Sequence, residues 1–189
     1  MPNWCSNKVV FTGTKRQVRR LRERVKSTAG DSAFSLESIL PTPPPGSADL
    51  QAAKNDPAAV VHLFAQVFLG RKDAEITWYE WRLAMWGCKW DVDVNAGDYV
   101  EDGPTATWTI AFDSAWTPPI AALRVLAKKF RGGICIEYYE TGCFFAGFTV
   151  WQDGKVVDES EGDPRGYGFV PEDEFGTPED ELSVEENDD

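Results

Sequence analysis

The chain has 189 residues, which fits one domain with an appendage and permits burial of about 70% of the extended chain's surface. No apolar run reaches the roughly 18 residues needed to cross a bilayer, and no hydrophobic signal segment is present, so we expect a cytoplasmic protein. The net charge of −12 is concentrated in residues 153–189, where fifteen Asp and Glu side chains face only Lys155 and Arg165. Residues 1–152 are nearly neutral.

Cysteine and histidine usage limits the chemistry that the chain can carry. Cys5, Cys88, Cys135 and Cys143 form no CxxC pair, which is typical of small buried hydrophobes in a reducing compartment. No two ligands have the short spacing of a zinc site, so we predict no metal and no cofactor. The GxSxG, phosphate-loop and HExxH motifs are missing from the sequence. We therefore predict a non-enzymatic protein without catalytic residues.

The first elements are a strand and a basic helix. Residues 8–13 are β-branched and aromatic and end at a glycine, which predicts a strand. Thr14 can cap a helix over residues 15–26, whose apolar positions Val18, Leu21 and Val25 face a core. Seven basic side chains occupy its other faces. They could attract phosphates, or they could be a solvated surface or one neutralised by the acidic tail.

An insertion is predicted between the first helix and the next strand, at about residues 41–88. Residues 33–40 before it read as a strand or an extended segment, and the proline-rich residues 41–46 end regular structure. A helix is predicted over residues 58–69, where aspartate and proline begin it. It contains His62, which we interpret as a packing or boundary residue.

A tryptophan-rich stretch, residues 76–91, ends the insertion and holds four of the eight tryptophans. Its spacing predicts a short helix ended by Gly87, followed by a strand over residues 89–94 with Asp91 and Asp93 on its polar face. Two interpretations remain open. The indoles form a core seam, or they form a partly exposed aromatic surface with Arg82 and Lys89.

The second half of the chain completes a split βαβ pattern. Turns are predicted at residues 95–98 and 101–104. After them come a strand at 106–112, a helix at about 120–130, strands at 134–140 and 143–151, and a hairpin at 152–157. This order predicts an α+β, ferredoxin-like sandwich, an antiparallel sheet with helices on one face, over residues 1–158.

Residues 159–189 are predicted to be an acidic, flexible tail. Two similar units, residues 171–177 and 178–182, combine proline with a high charge density, which argues for disorder in isolation. Phe169, Phe175 and Leu182 could anchor the tail on a partner or on its own domain. We expect residues 167–175 to dock while the end, from about residue 179, stays mobile without a partner.

Four short segments occur together in a characteristic order. They are Met1-Pro2-Asn3-Trp4-Cys5-Ser6-Asn7, Trp78-Tyr79-x-Trp81-Arg82, Trp86-Gly87-x-Lys89-Trp90-Asp91 and Phe112-Asp113-Ser114-Ala115-Trp116-Thr117-Pro118-Pro119. In this combination residues 1–152 resemble the YubB-like ferredoxin-fold proteins carried by phages and plasmids. The resemblance implies a fold and a mobile-element context, and it implies no known chemistry.

These observations lead to two functional hypotheses. The first is a phage or plasmid accessory protein that binds a host protein. In one form of this hypothesis it is a counter-defence inhibitor whose acidic tail imitates the charge of DNA. Its predicted partner-binding residues are Trp78, Trp81, Arg82, Lys89, Glu172, Asp173, Glu174, Glu179, Asp180 and Glu181. No membrane partner is expected.

The alternative is a nucleic-acid-binding module that the acidic tail inhibits. The basic first helix would contact phosphates, while bases would stack on strand aromatics as they do in RNA-recognition domains. The aromatic side chains available for this are Trp108, Phe112, Tyr138 and Phe145.

Overall fold

A computed structural model describes residues 3–52 and 76–167 of the chain. The helix predicted at residues 58–69 therefore lies outside the described residues. The elements, in order, are β1 (Trp4–Thr14), α1 (Lys15–Val25), α2 (Leu36–Ile39), α3 (Ala48–Ala52), α4 (Trp78–Met85), β2 (Asp98–Asp102), β3 (Thr105–Ala115), α5 (Ile120–Lys129), β4 (Gly133–Glu140), β5 (Phe145–Gln152), β6 (Lys155–Gly162) and a 3-10 turn (Pro164–Gly166).

The described strands form one antiparallel sheet with the order β2-β3-β1-β4-β5-β6. Helix α1 connects β1 to β2 with β3 between them, and α5 connects β3 to β4 with β1 between them. This pair of split βαβ units confirms the predicted ferredoxin-like α+β fold. Strands β5 and β6 extend the sheet beyond β4, and β6 continues past residue 159, where the sequence placed the start of the tail.

The hydrophobic core lies between the sheet and the helices. Burial alternates along β1, so that Val9 and Phe11 face the helices. The Phe11 ring stacks on Trp108 of β3 at a centroid distance of 5.2 Å. Helix α1 contributes its three predicted apolar residues, and α5 contributes Leu123 and Leu126. Large aromatic side chains therefore fill the centre of the domain.

Three of the four strand aromatics of the nucleic-acid alternative are buried in the core and cannot stack on bases. Trp108, Phe112 and Tyr138 are buried on the helix-covered face of the sheet. Phe145 is half-buried and packs edge-on against Tyr138 at 6.2 Å. Three of the four candidate rings therefore belong to the core, because one face of the sheet must pack against the helices.

Two predicted extended segments differ from the structure. Residues 36–39, within the segment predicted as a strand or extended, form the short helix α2. Residues 89–94 form no strand of the sheet, although Val92 and Val94 are buried and Asp91 and Asp93 are exposed, as the alternation predicted. The Asp91 carboxylate instead accepts hydrogen bonds from Ser35 Oγ and the Leu36 N–H, both at 2.6 Å. This contact fixes the segment beside α2.

The sequence did not predict strand β2. It forms one edge of the sheet, and turns were predicted over the residues at both of its ends. It projects Glu101 towards α1, where the carboxylate lies 3.0 Å from Lys15 Nζ and also contacts Arg19. Tyr99 Oη donates a further hydrogen bond to Glu101, at 2.8 Å. The basic face of α1 is therefore partly neutralised from within the domain.

The Glu101 contacts predict a dependence of stability on pH. Hydrogen bonds from Lys15, Tyr99 and Arg19 lower the pKa of Glu101 from 4.5 to about 2. Because the folded-state pKa is depressed, the stabilisation is complete above the unfolded-state pKa and is lost as pH falls through about 2. We expect the stability difference between the native protein and Glu101→Gln to be constant from neutral pH to about pH 5 and to shrink below it.

Urea unfolding of both proteins across that pH range measures this difference. Glu23→Gln is the matched control, since Glu23 is an exposed acid of α1 that forms no ion pair with the described residues. A difference for Glu101→Gln that stays constant down to pH 2 would contradict the expectation.

Candidate functional site

Helix α4 begins at a well-formed cap that exposes its first aromatic residues. The Thr77 side chain accepts the Tyr79 N–H, and the Glu80 side chain accepts the Thr77 N–H at 2.9 Å. This reciprocal arrangement is a capping box, and it fixes the first turn of the helix. Trp78 lies in that turn with 43% of its surface exposed, edge-on to the Tyr79 ring at 5.9 Å. The cap therefore presents two rings at the surface.

The later tryptophans of the same helix segment belong to the core. Trp81 and Trp86 are 5% and 0% exposed and pack edge-to-face at 6.2 Å. The Trp86 indole N–H donates to the Leu40 carbonyl oxygen at 2.8 Å. Trp81 was predicted to bind a partner, but its ring is enclosed by the domain. The tryptophan-rich stretch therefore contains both core and surface rings. Trp81 and Trp86 lie in the core, and Trp78 is exposed.

Arg82 joins the buried and exposed rings. Its guanidinium carbon lies 4.4 Å from the Trp86 ring centroid and 5.3 Å from that of Trp78. Its Nε donates to Thr42 Oγ1 at 2.9 Å, and its terminal nitrogen lies 3.2 Å from a Glu37 carboxylate oxygen. These contacts use the guanidinium of Arg82 within the domain, where it packs against the inner face of the Trp78 ring.

The turn after α4 returns the chain towards these rings. Gly87 has a φ of +92°, and a Cβ at this position would lie 2.9 Å from the Pro118 carbonyl oxygen, so glycine is required. Cys88 is buried next to it, and burial raises the pKa of its thiol to about 12. The glycine turn places Lys89 and Trp90, which are half-buried, beside the half-buried Tyr79.

A continuous row of side chains results. Lys89 Nζ lies 5.4 Å from the centroid of Tyr79 and 4.6 Å from that of Trp90. The Trp90 ring lies 5.8 Å from the ring of Trp4, which begins β1 and is 52% exposed. We call the set Trp4, Trp78, Tyr79, Lys89 and Trp90 the aromatic surface.

One further exposed ring, that of Trp116, lies at the same end of the sheet. Trp116 is 40% exposed and its backbone N–H donates to the Asn3 carbonyl oxygen, which places it beside the start of β1. Its φ of +78° is unusual for a bulky residue. Sequence reasoning did not assign Trp4, Tyr79, Trp90 or Trp116 to a site. All four are nevertheless members of the motifs that carried the family resemblance.

The remaining predicted site residues cannot be placed on this surface. Glu172, Asp173, Glu174, Glu179, Asp180 and Glu181 lie outside the described residues. Within residues 3–52 and 76–167, no group of three His, Cys, Asp or Glu side chains is arranged to hold a metal ion. In the same parts of the chain, no helix has the length and apolar character needed to cross a membrane.

The topology and the comparisons define the class of protein as a ferredoxin-like α+β domain. Residues 89–173 match the family described as "Ferredoxin-like domain in Api92-like protein". The chain is also similar to the crystal structure of a protein api92 from Yersinia pseudotuberculosis, with a TM-score of 0.50 and 12% sequence identity. That likeness covers 86% of this chain and 98% of the other, and it shows the fold alone. No curated protein matches the chain.

Proposed function

We propose that this chain is a binding module that holds a partner protein on its aromatic surface. The observation that carries the proposal is the continuous row of four rings and one cation, in which Trp4 and Trp78 are about half exposed. Single exposed apolar residues are ordinary, whereas a cluster of exposed rings indicates an interaction site. Tryptophan and tyrosine side chains supply much of the binding energy at protein interfaces.

The surface is built to present its rings in fixed positions. Lys89 lies between Tyr79 and Trp90, and Arg82 supports Trp78 from the domain side. A partner therefore meets side chains that are already ordered, so binding costs little further side-chain entropy. The arrangement suits a partner with an apolar recess for an indole and an acidic group for Lys89.

This proposal includes the sequence-based hypothesis that the chain is a phage or plasmid accessory protein and that its partner is a host protein in the cytoplasm. In that setting the aromatic surface supplies affinity, and the acidic residues after Tyr167 steer the chain towards a basic host surface. A host protein that normally binds nucleic acid carries such a basic surface. Inhibition of a defence protein through imitation of DNA charge remains part of this proposal.

Nucleic-acid binding is the less favoured alternative. Three of the strand aromatics that would stack on bases are buried. In addition, Lys15 and Arg19 of the basic helix already form ion pairs with Glu101. Bases could still stack on Trp4 and Trp90, because stacking on exposed rings needs no particular base sequence. The experiment for the proposed function therefore includes an oligonucleotide.

The test places a photo-crosslinking amino acid at position 90 of the full chain in a bacterial lysate. A second chain carries it at Val100, which is 62% exposed on β2 and distant in sequence from the aromatic surface. A protein captured from position 90 and not from position 100 is then purified, and its affinity for the unmodified chain is measured. We expect Trp90→Ala and Trp4→Ala each to weaken binding by about 10- to 30-fold, as for interface hot spots, and Val100→Ala to leave it within about twofold.

Three results would contradict the proposal. One is capture that is equal from positions 90 and 100. Another is an affinity for the captured protein that neither tryptophan substitution changes. The third is tighter binding to a single-stranded oligonucleotide, lost with Trp4→Ala, which would favour the nucleic-acid alternative.

A further inference from the structure

A second surface, separate from the aromatic surface, lies between the helices that cover the sheet. Helices α1 and α5 enclose a cleft of about 360 Å³. Its lining residues are Gln17, Arg20, Leu21, Arg24, Leu126, Lys129, Phe130 and Arg131. Gln17 Nε2 donates to the Arg131 carbonyl oxygen, which ties the start of α1 to the end of α5. The cleft is therefore formed by fixed elements.

The described side chains that line the cleft carry only positive charge. They include Arg20, Arg24, Lys129 and Arg131, and no acidic side chain of residues 3–52 or 76–167 is among them. None of these four cations forms an ion pair with a described residue, in contrast to Lys15 and Arg19 on the opposite flank of α1. Four cations around one cleft repel each other, and an anionic ligand relieves that repulsion.

The cleft also has an apolar base. Leu21, Leu126 and Phe130 lie beneath the cations and are almost fully buried. A simple inorganic anion uses only the charges, whereas a peptide with alternating acidic and apolar residues matches both features. The ligand class that the cleft fits is therefore an acidic peptide with an apolar anchor.

The same chain contains such a peptide. Residues 168–189 include ten acidic side chains and no basic ones. Two acidic triplets are each followed by an apolar residue, as Glu172-Asp173-Glu174-Phe175 and Glu179-Asp180-Glu181-Leu182. We propose that one of these tail segments binds the cleft between α1 and α5 in cis.

The length of the tail permits this contact. The described chain ends at Tyr167, whose ring packs on Phe148 at 6.4 Å and whose hydroxyl lies 2.7 Å from Ser160 Oγ. The following 22 residues can span up to about 70 Å, more than the diameter of roughly 40 Å expected for a domain of this size. The tail can therefore pass around the sheet edge to the helices.

Because the tail is attached to the domain, it can occupy the cleft even when its affinity for the cleft is low. A flexible tether gives an effective concentration on the order of 1 mM, so a weak site with a dissociation constant near 1 mM is about half occupied. Charge pairs at an exposed cleft are screened over about 10 Å at 0.1 M salt, so occupancy falls as salt rises. A basic partner that captures the tail would first displace it from the cleft.

Carbodiimide crosslinking of the full chain tests the proposal, because it joins lysine amines to carboxylates in direct contact. Lys129 lines the cleft, whereas its exposed neighbour Lys128 does not. We expect links from Lys129 to residues 172–181 to exceed those from Lys128 at least fivefold and to disappear at 1 M salt. Mixing isotopically light and heavy chains identifies links within one molecule.

Charge reversal in the full chain provides the matched comparison. Arg20→Glu should remove most Lys129 links, whereas Arg124→Glu, the same change at an exposed α5 position outside the cleft, should retain them. Equal links from Lys128 and Lys129, or links that Arg20→Glu leaves unchanged, would overturn the proposal. Submicromolar binding of a single-stranded oligonucleotide that Arg20→Glu abolishes would also overturn it, because the cleft would then serve nucleic acid. These results are independent of partner capture by the aromatic surface.

Discussion

Replacing Trp86 by alanine is expected to lower the free energy of unfolding by about 3–5 kcal/mol. The indole is fully buried and packs edge-to-face on Trp81. Removing it leaves a large cavity between α4 and the core and deprives the Leu40 carbonyl oxygen of its donor. The loss would be a large share of the 5–15 kcal/mol that stabilises a typical domain.

Urea denaturation, followed by far-ultraviolet circular dichroism, measures this loss. Trp78→Ala is the matched control, because it removes the same side chain from an exposed position at the start of α4, whereas Trp86 is the residue that ends this helix. We expect that control to cost about 1 kcal/mol or less. Similar losses for the two variants would mean that Trp86 is not the structural centre of this segment.

Replacing Asp91 by alanine is expected to lower the free energy of unfolding by about 2–4 kcal/mol, since charge-assisted hydrogen bonds contribute about 1.5–3 kcal/mol each and do not add fully. The carboxylate accepts hydrogen bonds from Ser35 Oγ, the Leu36 N–H and the Val92 N–H. Its loss leaves the Leu36 N–H at the start of α2 without this acceptor, although Ser35 Oγ still accepts the Ser38 N–H, and it releases the segment that carries Lys89 and Trp90.

Asp93→Ala is the control for this change, because Asp93 has the same charge, is exposed and lies two residues further along. We expect it to alter stability by no more than about 0.5 kcal/mol. Asp91→Asn retains one acceptor and should fall between the two. If Asp91→Ala matches Asp93→Ala in thermal and urea unfolding, the carboxylate is not the anchor of this segment.

The sequence predicts best the strands and helices in which apolar residues recur with the period of the element. Strands β1 and β3 and helices α1 and α5 each carry a regular apolar period because one face packs on the core. Strand β2 has no such period. As an edge strand it is mostly exposed, so its polar residues resemble a turn.

The error at residues 89–94 has a different cause. Alternating burial of Val92 and Val94 arises wherever an extended segment lies against a core, whether or not it joins a sheet. The deciding interaction is the contact between Asp91 and α2, a pairing across 55 residues that no local pattern contains. The sequence predicts the exposure pattern here and not the hydrogen-bond partners.

The candidate site is predictable only in part for a similar reason. Helical spacing puts Trp78 and Trp81 on one stripe, but Trp78 lies in the first turn, beyond the edge of the core. Trp4 reaches Trp90 because β1 pairs with β3 in the register that sets Trp4 opposite Ala115. That proximity depends on the assembled sheet. The exposed aromatic surface is consequently a product of tertiary structure.

The two outermost strands have one further property in common. Edge strand β2 carries Asp98 and Asp102 beside the ion-paired Glu101, and the opposite edge strand β6 carries three more acidic residues over its exposed length. An open sheet offers unpaired backbone groups at both rims, where another copy could add as a further strand. Acidic side chains on both edge strands repel the acidic edge of a second copy, whichever of its two edges approaches. The sheet therefore resists growth into fibrils at neutral pH while its aromatic end remains free to bind.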